Sequence, residues 1–362
     1  MTAANTPNRL GMADYRTPPI KRQWYVAGRR EEFGEQLDEV TIMNRSLVRY
    51  RTEAGEPVLM QNRCPHRSFP LSKSIREGDN IRCRYHGAVF DAEGKFVSVP
   101  TQDMCPKGGL RKYATVEHGP FVWVWMADEA PDESKLPDLP YTRGDWDLII
   151  GRMDVPGNIM FMAENLCDLT HIPFLHEHTL GYPPEFAREV LDIREVADGL
   201  EYERTITGHY YHKTAFFSPE TSANIGAHDY KMSSIGYFKS TALNYSYLRL
   251  TIDPEAAAAD PKVQQDYSFI ISHYLTPETD KTTHYYWLLA RNYDLKRPEI
   301  DEQLEKNITT AFYEDLETTA YLQEMMDKDQ HEFRETIFGG DRQSVMMRRI
   351  VQRLADAEAA DN

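Results

Sequence analysis

The chain has 362 residues, four cysteines, 41% hydrophobic residues and a formal net charge of −16 at pH 7. Such an acidic chain lacks the basic footprint of a nucleic-acid-binding protein, and an anionic membrane surface would not attract it. No apolar run is long enough for a membrane-spanning helix, and the N-terminal residues lack the basic and apolar regions of a signal peptide. A disulfide framework is not expected from so few cysteines, so we predict a cytoplasmic protein of two domains.

The first third of the chain predicts a small all-β domain. Residues 1–21 are polar and contain three prolines, which indicates an extended arm. From residue 22 to residue 130, short stretches alternate apolar and polar side chains and are separated by glycine-containing turn signals. A linker with three prolines follows at residues 131–141, and we expect the domain boundary there.

Residues 142–362 predict a second domain that mixes strands and helices. The patterns indicate a helical segment at 158–170, a long amphipathic helix from Ile300 to about Lys328 and a terminal helix. Several long strands with one long helix favour a curved antiparallel sheet that wraps the helix, so the fold class of the chain is α+β. The strand-like stretches are residues 200–211, 241–253, 264–275 and 281–293.

Two mixed cysteine–histidine pairs lie in the first domain. Cys64-x-His66 and Cys83-x-x-His86 are separated by sixteen residues. Two thiolates and two imidazoles are the ligands of a Rieske [2Fe–2S] cluster, in which the cysteines bind one iron and the histidines bind the other. A structural zinc is the alternative, but zinc sites usually take both cysteines from one loop and both histidines from another. The mixed pairs therefore favour the cluster.

A second group of candidate ligands begins the second domain. Asn165, Asp168 and His171 recur every three residues, so they neighbour one another along a helix surface. His176 follows beyond Pro173, which would break or kink the helix and let both imidazoles turn toward one point. Two histidines and one carboxylate form the facial triad of non-haem Fe(II) oxygenases, so a carboxylate from elsewhere is expected.

The long C-terminal helix offers that carboxylate. Asp315 falls within its apolar stripe, whereas Glu314 and Glu317 are expected to point away from it. A carboxylate on a buried helix face is costly unless it is paired, hydrogen-bonded or bound to a metal, so Asp315 is the predicted third ligand. His178 is expected to be exposed. Taken singly, each of these residues could instead be a buried histidine or a salt-bridged acid.

Together the two motifs resemble those of the α-subunits of Rieske non-haem iron oxygenases. The resemblance implies an N-terminal Rieske domain and a C-terminal helix-grip catalytic domain, with His171, His176 and Asp315 binding Fe(II). It implies that Asp168, in one motif with Asn165, bridges an iron-ligand histidine and a cluster histidine of a neighbouring subunit. It also implies a homotrimer, because the cluster and the iron of one subunit lie too far apart in this family for electron transfer.

Two further stretches, LTPETDKTTHYYW at 275–287 and FYEDLETTAYLQ at 312–323, resemble the vanillate and dicamba O-demethylase branch. This branch implies a terminal oxygenase that uses O₂ and electrons from a separate NAD(P)H-dependent reductase or ferredoxin. A methoxy C–H bond of a small aromatic acid would be hydroxylated, and the hemiacetal would release formaldehyde. His273 is either a residue of the substrate pocket or an ordinary strand residue, and Arg291 and Asn292 are weaker candidates for binding a carboxylate.

Two alternatives remain open at this point. The same metal sites would serve ring hydroxylation, N-demethylation or methyl oxidation, because the pocket alone decides which C–H bond is oxidised. A protein of a different class, a Rieske electron carrier fused to a non-catalytic binding module, would have the cluster but no further iron. The predicted facial triad argues against the carrier.

Overall fold

A computed structural model of the chain describes residues 11–188, 191–197, 199–207, 216–329 and 335–360. The chain divides into two compact units. One consists of Lys21–Leu139 together with Thr276–Asp280, and the other contains the described residues of Met1–Ile20, Pro140–Leu275 and Lys281–Asn362. The first half of the predicted N-terminal arm lies outside the described residues. In the second half Ala13 is buried, and its backbone N–H donates to the carbonyl of Arg348.

The first unit is all-β, as the alternating patterns predict. Its strands are β1 (Trp24–Arg29), β2 (Asp38–Ile42), β3 (Arg45–Arg51), β4 (Pro57–Gln61), β5 (Ile75–Glu77), β6 (Asn80–Arg82), β7 (Val89–Phe90), β8 (Phe96–Ser98), β9 (Ala114–His118) and β10 (Phe121–Trp125). They form three antiparallel sheets with the orders β1-β10-β9, β2-β3-β4 and β5-β6-β7-β8. Strand β10 is central and buried throughout, which explains why its apolar run does not alternate.

The second unit is built on one seven-stranded antiparallel sheet with the order β11-β17-β16-β15-β14-β13-β12. The strands are β11 (Asp147–Val155), β12 (Asp192–Val196), β13 (Gly199–Thr207), β14 (Tyr230–Lys239), β15 (Leu243–Ile252), β16 (Asp266–Pro277) and β17 (Thr283–Arg291). The four stretches predicted as strands contain β13, β15, β16 and β17, and residues 208–211 of the first stretch lie outside the described residues. Thus the α+β prediction is confirmed, and the three further strands complete the sheet.

Helices cover the sheet and connect its strands. They are α1 (Ile159–Cys167), α2 (Ile172–Leu175), α3 (Pro219–Ile225), α4 (Pro254–Ala259), α5 (Pro298–Lys328) and α6 (Arg342–Ala360). Helix α5 has proline in its first turn, where a missing N–H costs nothing, and acidic residues near its N-terminus that complement the helix dipole. Phe312 of α5 packs edge-on against Tyr285 and Trp287 of β17, which holds the helix on one face of the sheet.

The predicted helix at 158–170 is shorter than expected. Helix α1 ends at Cys167, and Asp168 leaves the helix with φ −91° and ψ 109°. Among the described residues, no helix is both long and apolar enough to cross a membrane.

Candidate metal centres and their cavity

The two cysteine–histidine loops share one backbone geometry. In each loop the cysteine N–H donates to the carbonyl five residues later, Cys64 to Phe69 at 3.0 Å and Cys83 to Ala88 at 2.8 Å. The cysteine carbonyl in turn accepts from the N–H four residues later, at Ser68 and at Gly87, and both of these residues have positive φ. The two loops therefore share a tight turn closed by a residue of positive φ, although the histidine follows its cysteine by two residues in one loop and by three in the other.

The side chains of these loops fit a Rieske cluster. Cys64 and Cys83 belong to the buried core of their unit, and burial raises the pKa of the Cys64 thiol. His66 and His86 are exposed, and their ring centroids are 4.5 Å apart. Two inner thiols and two outer imidazoles match the ligand division of a [2Fe–2S] centre, in which the cysteines would hold one iron and the histidines the other.

The second candidate centre starts where α1 ends. The carboxylate of Asp168 accepts the N–H of Thr170 at 2.7 Å and caps a short 3₁₀ turn, Leu169–His171. Helix α2 follows at once, with Pro173 in its first turn. The predicted break in the helix is present, but it lies at Asp168 and not at Pro173. The chain changes direction at Asp168, and the proline begins the next helix because its ring tolerates that position.

His171, His176 and Asp315 come together in space. Asp315 Oδ1 lies 3.6 Å from His171 Nε2 and 3.2 Å from His176 Nε2, and all three donor atoms lie within 4.8 Å of one another. Asp315 is only 4% exposed, on the buried stripe of α5. Two imidazoles and one carboxylate on one side of a centre fit a non-haem iron with open coordination positions.

Outer contacts fix the orientation of both rings. His171 Nδ1 lies 2.5 Å from the backbone carbonyl oxygen of Asp168, and His176 Nδ1 lies 2.6 Å from Glu314 Oε2. The same Glu314 oxygen accepts from Thr179 Oγ1 at 2.7 Å. A proton held on each Nδ1 leaves each Nε2 lone pair toward Asp315, which is the tautomer a metal ligand needs.

One expectation about the acids needs correction here. Glu314 does not point away from the site, because its side chain is long enough to reach the loop that carries His176. Asp168 contacts the His171 ring through its backbone carbonyl, while its carboxylate is occupied as a cap. His178 is exposed, as expected, and has no part in the cluster of donor atoms.

Electrostatics prepare the centre for a cation. Burial lowers the pKa of His171, with a further lowering from the nearby His176, so the metal-free ring is neutral at pH 7. Burial also opposes a charge on His176, but hydrogen bonds and charges from Asp315 and Glu314 outweigh it and raise its pKa. Asn165 Nδ2 donates to Asp315 Oδ1 at 3.0 Å and thereby orients the carboxylate.

A cavity of about 130 Å³ opens beside this centre. An apolar cavity of that order holds a single aromatic ring. Most of its lining residues are apolar, and the polar ones include the three candidate ligands. The lining residues are Asn165, Leu166, Leu169, His171, Ile172, His176, Leu180, Tyr182, Phe186, Arg204, Phe216, Met232, Ser234, Asn244, Ser246, Leu248, Ile271, His273, Ile308, Ala311, Phe312 and Asp315.

Of the predicted substrate residues, the structure places one in this cavity. His273 lines it from β16, with Nδ1 2.6 Å from the hydroxyl oxygen of Tyr285, and burial lowers the pKa of His273 to about 4. Arg291 does not line it, because this fully buried guanidinium forms ion pairs with Asp147 at 3.2 Å and Asp301 at 2.6 Å. Asn292 also lies outside the cavity lining, and its amide oxygen accepts the backbone N–H of Ser268.

Several cavity residues were not singled out from the sequence. They lie on the inner face of β13, β14 and β15, and Arg204 is the arginine among them. One of these residues could have been found from the sequence. Alternation along β13 puts Arg204 on the same face as the buried Leu200 and Tyr202, and a charged residue on such a face is unusual.

Comparison with known proteins agrees with this arrangement. Residues 23–114 match the Rieske [2Fe-2S] domain, and residues 155–357 match the vanillate O-demethylase oxygenase C-terminal domain. The chain is 30% identical to the oxygenase component of dicamba O-demethylase from Stenotrophomonas maltophilia, over 78% of this chain and 81% of the relative. It is 29% identical to the toluene-4-sulfonate monooxygenase system iron-sulfur subunit TsaM1 of Comamonas testosteroni, over 82% and 86% respectively.

A solved structure shares the whole fold. The crystal structure of dicamba monooxygenase bound to dicamba superposes with a TM-score of 0.81 at 24% identity, covering 94% of this chain and 99% of that one. The C-terminal match alone spans more than half of the chain. The chain therefore belongs to the Rieske oxygenases of the vanillate O-demethylase type, and it is an oxidoreductase.

Proposed function

We propose that this chain is a terminal oxygenase component that uses O₂ to oxidise a C–H bond of a small aromatic acid. The reaction proposed is O-demethylation of a methoxy group with release of formaldehyde. The observation that carries the proposal is the donor set of His171, His176 and Asp315, which opens into an apolar cavity the size of one aromatic ring. Relatives named as acting on dicamba and on toluene-4-sulfonate support an aromatic acid as substrate.

The residues for each metal group follow from the donor chemistry. His171, His176 and Asp315 would hold Fe(II), and the four loop residues would hold the cluster: Cys64, His66, Cys83 and His86. When bound, the iron activates O₂ and the cluster supplies single electrons. Glu314 and the Asp168 carbonyl hold the Nδ1 protons, and Asn165 holds the carboxylate in place.

The apolar walls perform the remaining task, which is to position the substrate and exclude water from the reacting carbon. Leu169, Ile172 and Ile308 line the cavity close to the candidate ligands in sequence. If the methoxy carbon of the substrate points toward the candidate metal ligands, the aromatic ring would lie against the sheet. Collapse of the hemiacetal then needs only proton transfer, and neutral His273 is a polar group in the cavity that could support it.

Electrons would come from a separate NAD(P)H-dependent reductase or ferredoxin, in the cytoplasm. The exposed rings of His66 and His86 support transfer of electrons to another protein surface. We further propose a homotrimer in which Asp168, with its half-buried side chain, bridges the iron site of one subunit and the cluster of the next.

The test uses purified holoenzyme with a surrogate reductase, NADH and a panel of aromatic acids, and follows O₂ uptake and formaldehyde together. Coupled uptake and formaldehyde with a methoxybenzoate is the expected result. Uptake without formaldehyde would replace demethylation by ring hydroxylation or methyl oxidation. Iron confined to the two atoms of the cluster would overturn the oxygenase in favour of an electron carrier.

A further inference from the structure

Two polar side chains from neighbouring strands meet beside the cavity. His273 of β16 lines the cavity and is 7% exposed, whereas Tyr285 of β17 is fully buried. The hydroxyl oxygen of Tyr285 lies 2.6 Å from His273 Nδ1. The two rings are stacked with centroids 5.8 Å apart, and Phe312 of α5 packs edge-on against both. The orientation of the His273 ring is therefore fixed by its neighbours.

Each of these two groups has a single proton to donate at pH 7. Burial raises the pKa of Tyr285 well above its usual value, and the charge of Asp315 adds to the effect, so the hydroxyl stays protonated. Burial lowers the pKa of His273 to about 4 although Asp315 opposes it, so the ring is neutral and has one N–H. Their contact therefore has two possible arrangements, in which either the hydroxyl or the Nδ1–H group is the donor.

The surroundings of the Tyr285 hydroxyl decide between the two arrangements. Within the described parts of the chain, its one hydrogen bond is the contact with His273. If Nδ1–H were the donor, the phenolic proton would be buried without an acceptor, which costs its full desolvation penalty. The hydroxyl therefore donates to Nδ1, and the His273 proton lies on Nε2.

The Nε2–H group of His273 has no hydrogen-bond partner in the part of the chain that the structure describes. It lies on the side of the imidazole away from Nδ1 and Tyr285, and the ring lines the cavity. The neighbouring Asn244 of β15 has its amide nitrogen engaged with the carbonyl of Leu166 at 3.1 Å. At this position on the sheet, the cavity thus offers a hydrogen-bond donor in a mostly apolar wall.

We propose that Tyr285 is a positioning residue that keeps the His273 proton on Nε2, so that the cavity selects an aromatic ring with an acceptor oxygen at that point. A carbonyl or carboxylate oxygen accepts from Nε2–H, whereas a group that can only donate finds no acceptor there. The inference rests on the proposed function of the cavity as the substrate site. It adds a residue that does not touch the substrate and a rule for which ring substituents fit.

The experiment compares the binding of two neutral ligands to the holoenzyme by calorimetry. 4-Methoxyacetophenone has an acceptor oxygen opposite the methoxy group, and 4-methoxyaniline has a donor there. In Tyr285→Phe the His273 ring is free to move its proton to Nδ1 and to accept from the amine. The ketone-to-amine affinity ratio should therefore fall by about 2- to 10-fold, which corresponds to one neutral hydrogen bond. An unchanged ratio in the folded variant overturns the inference.

Tyr274→Phe is the matched control. Tyr274 follows His273 on β16 and so faces the other side of the sheet, where its hydroxyl is 3.0 Å from that of Tyr141. This variant loses a buried hydroxyl of the same kind outside the cavity lining, and its ligand ratio should equal that of the wild-type chain. Because each ratio is measured within one variant, general destabilisation does not imitate the expected result.

Infrared spectroscopy tests the donor directly, including the case in which Tyr285→Phe does not fold. The carbonyl band of bound, ¹³C-labelled 4-methoxyacetophenone should lie at lower frequency than in cyclohexane, because a hydrogen bond weakens the C=O bond. In His273→Phe the band should return toward the cyclohexane position. A wild-type band at the cyclohexane position, or one that His273→Phe leaves unchanged, overturns the inference.

Formaldehyde production from 4-methoxybenzoate by the same preparations separates this inference from the proposed function. A ligand ratio that depends on Tyr285, without formaldehyde, would support the donor at His273 and refute demethylation. Formaldehyde production together with a ratio that Tyr285→Phe leaves unchanged would do the reverse.

Discussion

Replacing Glu314 by glutamine should weaken Fe(II) binding although no ligand is removed. The Glu314 carboxylate accepts the Nδ1–H of His176 at 2.6 Å and a second hydrogen bond from Thr179 at 2.7 Å. Glutamine keeps the size of the side chain but removes its negative charge. That charge makes the His176 imidazole a stronger electron-pair donor to the metal. Loss of such an outer partner typically costs 10- to 100-fold in metal affinity, which is about 1.4–2.8 kcal/mol.

The assay is iron binding rather than turnover. Apo protein is titrated anaerobically with Fe(II) against a chelator, and the iron beyond that of the cluster is counted for each variant. Glu317→Gln is the matched control, because Glu317 lies one turn closer to the C-terminus of α5, is exposed and bonds Tyr321 instead of a histidine. Cluster absorbance should be the same in both variants. Equal Fe(II) affinity in Glu314→Gln and the wild-type chain would refute this account of the site.

Three further predictions use other measurements. Asp168→Asn should retain both metal groups, since asparagine also caps the turn, while formaldehyde production collapses; normal turnover would refute the bridging role. Gly236→Ala should lower Tm through about 1–3 kcal/mol of overpacking, because a Cβ there would lie 1.7 Å from the Tyr202 ring, and an unchanged Tm would contradict it. Burial raises the pKa of Glu164 to about 7, against attraction by Arg348, so the folded chain holds a proton there that the unfolded chain releases at lower pH. Wild type should therefore lose on the order of 1 kcal/mol of unfolding free energy relative to Glu164→Gln between pH 5 and pH 8, measured by urea denaturation; a pH-independent difference would count against it.

Local spacing is sufficient to find the candidate metal ligands in this chain. Each cluster loop closes within six residues. The histidine that accompanies Cys64 or Cys83 can therefore be identified from local sequence alone, without knowledge of distant contacts. Asp315 could be selected from one helix alone, because an acid within a buried stripe needs a compensating partner. The long helix and four of the seven large strands follow from periodicity in the same way.

Contacts between distant segments could not be predicted from periodicity. Glu314 is 138 residues from His176 in sequence, and a helix projection of α5 alone turns it away from the site. The sequence offered Arg291 as a candidate for binding a substrate carboxylate. In the folded chain its guanidinium instead forms ion pairs with Asp147 and Asp301. In both cases the answer depends on which distant segment packs against the residue: the chain around His176 for Glu314, and strand β11 and helix α5 for Arg291.

The sequence by itself thus determined the two kinds of metal site, the two-domain α+β class and the family. Only the tertiary structure decided which groups orient the histidines and which side chains form the cavity. Arg204 illustrates the reason, since strand alternation shows that it shares a face with Tyr202 but not what lies opposite that face. Sheet register and helix placement are set by many weak packing contacts at once, and no single stretch of the chain encodes them.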